Sequence, residues 1–261
     1  MRMFGSAFVP LSLLLFMTAS SCFALEEESN PNIPSALRKA LFADYDKLVK
    51  PHGLVTVRYS LDIVDIALCP HQQKLQITGF AHHSWFDIRL RWDPEEFQGI
   101  KELHLPSTEL WMPDITLYNG VGPPQNNLLD LAPHAFAVIG YKGEVVFVPS
   151  LSMSAFCPVK TDNWPWDDQS CTLMVGSWSY EKKDVDIQPF ESDTFPPIGV
   201  DSFMNPRVEI LGSSFLRVEN RFPCCQDKVF PTLNLNIQFK EISKFVHGTL
   251  ITKDTVVDED G

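Results

Sequence analysis

What most restricts the fold of this 261-residue chain is a period of two that begins after Pro51 and recurs as far as Phe239. Val55-Thr-Val-Arg-Tyr-Ser-Leu-Asp-Ile-Val-Asp-Ile alternates apolar with polar side chains, as a strand with one buried face must. The alternation returns over 75–92, 135–148, 171–178, 185–187, 207–218 and 233–239. Turn-forming clusters separate these runs: Cys69-Pro-His-Gln-Gln, Asn119-Gly-Val-Gly-Pro-Pro, Tyr141-Lys-Gly and Asp162-Asn-Trp-Pro. Many short strands at such spacing predict an all-β sandwich or barrel in one domain. Ahead of them, residues 34–50 predict one helix. Leu37, Leu41, Tyr45 and Leu48 form its apolar stripe, Pro34 and Ser35 start it and Pro51 stops it.

Both ends of the chain read differently. Arg2, the apolar residues 8–17 and the small residues up to Cys22-Phe23-Ala24 predict a signal peptide over 1–24, cleaved before Leu25. Its apolar run is too short to span a bilayer. An acidic leader (25–33) follows, and a polar tail (241–261) closes the chain in Asp258-Glu259-Asp260. No membrane span is expected, and the expected location is extracellular. The net charge of −12 argues against a nucleic-acid partner, whose phosphates need a basic patch, and favours cations.

Five cysteines remain after the signal peptide: Cys69, Cys157, Cys171, Cys224 and Cys225. In an oxidising compartment an odd number leaves one thiol over. Closing the segment between Cys157 and Cys171 would stabilise by about 3 kcal/mol in the chain-entropy view. Cys224 and Cys225 are neighbours, and a bond between neighbours closes a strained eight-membered ring, so such pairs usually bond elsewhere. Spacing alone leaves their pairing open. No spacing suits zinc, and no nucleophile–base pair or phosphate loop stands out. Neither catalysis, a metal nor a cofactor is expected.

The segment Cys157-Pro-Val-Lys-Thr-Asp-Asn-Trp-Pro-Trp-Asp-Asp-Gln-Ser-Cys171 resembles the signature loop of the pentameric Cys-loop receptors, with Trp164-Pro165-Trp166-Asp167 inside the two cysteines. Other segments agree in order. Trp85-Phe-Asp-Ile-Arg-Leu-Arg-Trp92 resembles the family's W-x-D-x-x-L-x-W, and Trp111-Met-Pro-Asp114-Ile-Thr-Leu-Tyr118-Asn its W-x-P-D-x-x-L-Y-N. Gly176-Ser-Trp178 is similar to its G-S-W segment. Phe222-Pro-Cys-Cys-Gln-Asp-Lys-Val-Phe230 looks like the vicinal-cysteine loop of nicotinic alpha-type subunits.

The resemblance covers residues 34–240. It implies an immunoglobulin-like β-sandwich of about ten strands with an N-terminal helix, assembled as a homopentameric ring. It implies Cys157–Cys171 and Cys224–Cys225 bridges and a free Cys69. A small cationic ligand, acetylcholine-like or another amine, would sit between subunits. The principal face maps onto Tyr118, Trp178, Phe222, Cys224, Cys225 and Phe230, and the complementary face onto Phe80, Val138, Val146 and Val148. Trp178 is the ring expected to meet the cation. Asp114 is expected to orient the Trp178 loop from behind, and Trp85, Trp92 and Trp111 to fill the core. Phe80 replaces the nicotinic Trp, and Phe222 and Phe230 replace Tyr, so the box stays aromatic and loses an indole and two hydroxyls. No Asp or Glu maps to the box wall, Asp227 being solvated near the loop tip. His82 and His83 read as solvated strand residues. Three roles follow: a soluble binding protein, the ligand-binding part of a channel subunit, or an assembly module with a decayed site. The polar C-terminal segment favours the first.

Overall fold

A computed structural model describes residues 32–121, 135–190, 196–246 and 249–252. The expected signal peptide, most of the leader and the last nine residues of the tail lie outside the described residues.

Helix α1 (Ile33–Leu41) has Pro34 in its first turn and Arg38 and Lys39 in its last, where the helix dipole favours cations. It ends at Leu41, not at residue 50. Long-range hydrogen bonding explains the early stop. The Asp46 carboxylate accepts the backbone N–H of Leu48 at 2.9 Å, which makes a turn. Arg89 then donates to the carbonyls of Asp46 at 3.0 Å and Val49 at 2.8 Å. Leu48, the last member of the predicted stripe, is 83% exposed.

Fourteen strands are described. The first seven are β1 (Val55–Cys69), β2 (Lys74–Arg91), β3 (Glu102–Pro106), β4 (Ile115–Leu117), β5 (Phe136–Gly140), β6 (Lys142–Phe147) and β7 (Ser150–Phe156). Then come β8 (Gln169–Ser177), β9 (Val185–Pro189), β10 (Ile198–Gly199), β11 (Val208–Asn220), β12 (Phe230–Glu241), β13 (Ser243–Val246) and β14 (Thr249–Thr252). The run over 135–148 is the hairpin β5–β6, turning at Tyr141.

Eight strands form the larger sheet, in the order β10-β1-β2-β6-β5-β3, with β7 also on β2 and β9 also on β1. Four form the smaller, in the order β11-β12-β8-β4. The polar tail contains the small hairpin β13–β14. Between the two main sheets lies one apolar core. It includes Leu61, Ile63 and Trp85 from the larger sheet and Leu173, Leu235 and Phe239 from the smaller, all buried. Each such side chain contributes roughly 1.5–3 kcal/mol by leaving water. Of the sandwich or barrel that alternation predicts, the sandwich implied by the resemblance is the fold.

Two devices hold it. A disulfide joins Cys157, just past β7, to Cys171 in β8, and so ties one sheet to the other. Inside that loop the Gln169 amide both accepts from Lys160 N–H at 3.0 Å and donates to its carbonyl at 2.9 Å. At the other end, Asp87 is fully buried and is gripped by the Arg89 guanidinium at 2.9 and 2.7 Å. Tyr45 donates to the same carboxylate at 3.0 Å, and the Arg89 guanidinium lies 4.4 Å from the Tyr45 ring centre.

The larger sheet also corrects one reading. His83 is a core residue, fully buried, not a solvated one. On β2 the parity that turns Ala81 and Trp85 inward turns His83 inward as well. Among the described residues no helix is long and apolar enough to cross a membrane.

Candidate binding site

Four aromatic rings converge at one end of the smaller sheet. Tyr118 follows β4, Trp178 follows β8, Phe222 lies just past β11, and Phe230 opens β12. Strand ends bring them together because β4, β8 and β12 are adjacent and in register: Leu117 opposes Val175, and Thr232 opposes Gly176. Tyr118 meets Trp178 edge to face, with ring centres 5.4 Å apart and planes at 84°. Phe222 stands 6.3 Å from Tyr118 and 5.6 Å from Phe230. Such spacings are those of favourable aromatic pairs. Phe230 is buried behind the group, whereas Trp178 is 66% exposed. A large indole held rigid yet open to solvent is a surface made for contact.

Polar groups behind the rings fix their placement. Asp114 accepts from the Ser177 hydroxyl at 2.5 Å and from the Ser179 N–H at 2.6 Å, spanning Trp178 from both sides. The Ser177 oxygen in turn accepts the Tyr180 N–H at 3.0 Å. The Tyr118 hydroxyl donates to the Ser177 carbonyl. Burial first, and then the Asp114 carboxylate, push that phenol up to about 12, so it stays a neutral donor. Asn119, a turn residue that also ends the W-x-P-D-x-x-L-Y-N segment, donates to the Thr172 carbonyl at 2.7 Å and accepts the Met174 N–H at 3.0 Å.

The cysteine loop connects β11 to β12. Cys225 N–H donates to the Phe222 carbonyl and Lys228 N–H to the Cys225 carbonyl, each at 3.0 Å. The Cys224 and Cys225 sulfurs lie 2.6 Å apart, and Cys69 is free and exposed. Asp227 is exposed, as expected. Trp85 and Trp111 lie buried behind the site, with ring centres 6.3 Å apart, and Trp111 also meets Tyr180 at 6.4 Å.

The remaining expected residues are on the other sheet. Phe80 lies on β2 and is 41% exposed; Val138 on β5 opposes Val146 on β6, and Val148 is exposed just past β6. The fold thus collects the predicted residues into two groups, one on each sheet. Sequence reading took His82 for a solvated strand residue on the face of Phe80 and missed a second polar neighbour. Asp62 on β1 stands directly opposite Phe80, and the His82 ring nitrogen Nε2 is 2.8 Å from its carboxylate. Parity on β2 places His82 on the face of Phe80, whereas Asp62 reaches it only through the register of β1 against β2.

A disulfide-tied β-sandwich with an open aromatic cluster at its strand ends defines a binding module of the receptor-domain class. Residues 34–240 match the family described as the neurotransmitter-gated ion-channel ligand binding domain, and the chain belongs to that family. It is 28% identical over 246 residues to neuronal acetylcholine receptor subunit alpha-6 of Mus musculus, covering 92% of this chain and 46% of that protein. It is 30% identical over 256 residues to acetylcholine receptor subunit alpha-like 2 of Drosophila melanogaster, covering 93% of this chain and 42% of the relative. The chain therefore spans less than half the length of these relatives.

Proposed function

We propose that this chain is a secreted, soluble binding protein that assembles as a homopentamer and holds a small cationic amine between neighbouring copies. The observation that carries this reading is the open cluster of Tyr118, Trp178, Phe222 and Phe230, with Trp178 the most exposed ring. A cation over an indole face gains about 2 kcal/mol or more once water is excluded. Phe80, Val138, Val146 and Val148 belong to the other sheet, so they supply the opposite wall from a second copy. The ring requires contacts of the head-to-tail kind, in which unlike faces meet. In an oxidising compartment Cys224 and Cys225 bond to each other and stiffen the loop tip over the ligand.

The test is titration calorimetry with a panel of amine transmitters, acetylcholine among them, on the parent and on Trp178→Ala. The variant is expected to lose about 2–4 kcal/mol of binding, the range of an interface hot spot. Equal binding by both proteins refutes the site and leaves the decayed assembly module as the reading. A second reading has its own support. The relatives are receptor subunits more than twice as long as the matched part, so the chain also fits the ligand-binding part of a channel subunit. The length of the natural transcript's reading frame separates the two.

A further inference from the structure

The wall around Phe80 carries a negative group that an aromatic box for quaternary amines does not need. β1 and β2 pair antiparallel with Asp62 opposite Phe80 and Ser60 opposite His82. Residues directly opposed in such a pair project to the same face. Phe80, Asp62, His82 and Ser60 therefore make one block on the face of the larger sheet that the proposed site uses.

The carboxylate is held by one partner and lies over a glycine. His82 Nε2 lies 2.8 Å from Asp62 Oδ2. On β10, paired in parallel to β1, Gly199 is the register partner of Asp62, and a Cβ built on it would fall 1.7 Å from Asp62 Oδ1. With glycine at 199 the carboxylate keeps this position; a larger residue would make it shift. Ser60 is buried and its hydroxyl has no hydrogen-bond partner. Asp62 itself keeps 31% of its side chain exposed, next to the exposed Phe80 ring. Arg58, four pairs from Asp62 along β1, stands opposite Ser84, and the side-chain partner of Asp62 is the His82 ring.

A carboxylate oxygen can accept several hydrogen bonds, so one bond from His82 leaves Asp62 able to take more. A quaternary ammonium has no N–H to donate. A protonated primary or secondary amine has, and a hydrogen bond to a charged group is among the stronger ones. We propose that Asp62, held by His82, is a specificity-determining residue of the complementary face. The site then takes a protonated primary or secondary amine in preference to a quaternary ammonium ion. This rests on the aromatic cluster being an amine site between copies.

The experiment uses two probes with one ring and one charge, phenethylamine and its N,N,N-trimethyl derivative. Binding is read by calorimetry and by quenching of tryptophan emission, on the parent, Asp62→Asn and Asp62→Ser, each checked for folding by circular dichroism. The parent is expected to bind phenethylamine about tenfold more tightly than the trimethyl probe. Either folded variant is expected to lose that preference, by weakening phenethylamine alone. If both probes bind and their ratio is the same in the parent and in either folded variant, the role of Asp62 is overturned and the amine site stands. If the parent binds the trimethyl probe at least as tightly as phenethylamine, the preference itself is wrong. If the parent binds neither probe, and no amine transmitter either, the amine-site reading fails and takes this inference with it.

Discussion

Acidification from pH 7 to pH 4 is expected to destabilise this protein through one core side chain, His83. Its ring is fully buried, edge-on to Tyr59 at 5.1 Å and 5.9 Å from Phe147. Nδ1 lies 3.1 Å from the Ala81 carbonyl, and Nε2 has no hydrogen-bond partner. Burial lowers the imidazole from 6.5 to about 4; the backbone at Ala81 and Phe147 favours the charged ring and offsets only part of this, and His82 adds a small repulsion. In the unfolded chain the ring returns to its ordinary value. Between the two values the unfolded state binds a proton that the folded state does not. Stability from this group is therefore complete above about pH 6.5 and is lost as pH falls toward 4. The window spans roughly 2.5 pH units at about 1.4 kcal/mol each, less the share recovered as the folded ring half protonates at pH 4, so the loss is about 3 kcal/mol, a large share of the roughly 5–15 kcal/mol of a typical domain. The assay is urea unfolding at pH 7, 5.5 and 4 on the parent and on His83→Met, which fills similar volume and does not titrate. Carboxylates act on both proteins alike and cancel in the difference. The parent should lose about 3 kcal/mol more than the variant across the range. Equal losses would refute the argument from burial.

Static light scattering at micromolar concentration is expected to give the mass of five chains; a stable monomer or dimer counts against the ring. Thiol titration of the secreted protein, unfolded without reductant, should find one reactive cysteine per chain, Cys69, whereas three would show that Cys224 and Cys225 stay reduced. Arg89→Met leaves the Asp87 carboxylate buried without its cation and should cost about 3–5 kcal/mol in urea unfolding. A cost below about 1 kcal/mol would mean that Tyr45 alone satisfies that carboxylate.

Much of this architecture can be read from side-chain parity. The long strands β1, β2 and β12 announce themselves because one face of each meets the core, whereas β11, equally long, buries no side chain fully. β4 and β10 do not, since strands of three and two residues are too short to carry a period. The end of α1 was hidden for another reason. Leu48 continues the apolar stripe, and only Arg89, some forty residues away, claims the carbonyls that a longer helix would have bonded. The burial of His83 was legible from its place between Ala81 and Trp85, but histidine's usual exposure outweighed the parity. The Asp62–His82 pair was not legible, because it depends on the register of β1 against β2. That register shifts between Ile63 and Asp65, where an irregularity interrupts the ladder. The aromatic cluster was visible as residue types, yet its geometry rests on adjacent strand ends that no local pattern reports.

The division of the site residues between the two sheets has a consequence for inheritance. A chain with Trp178→Ala still offers an intact Phe80 wall, and a chain damaged at Phe80 still offers an intact Trp178. Made together in equal amounts, two such defective chains would rebuild undamaged junctions at about one quarter of the positions in a randomly assembled ring. Two alleles, each silent alone, would restore binding in the cell that carries both. A site contained within one chain could never be rescued in this way.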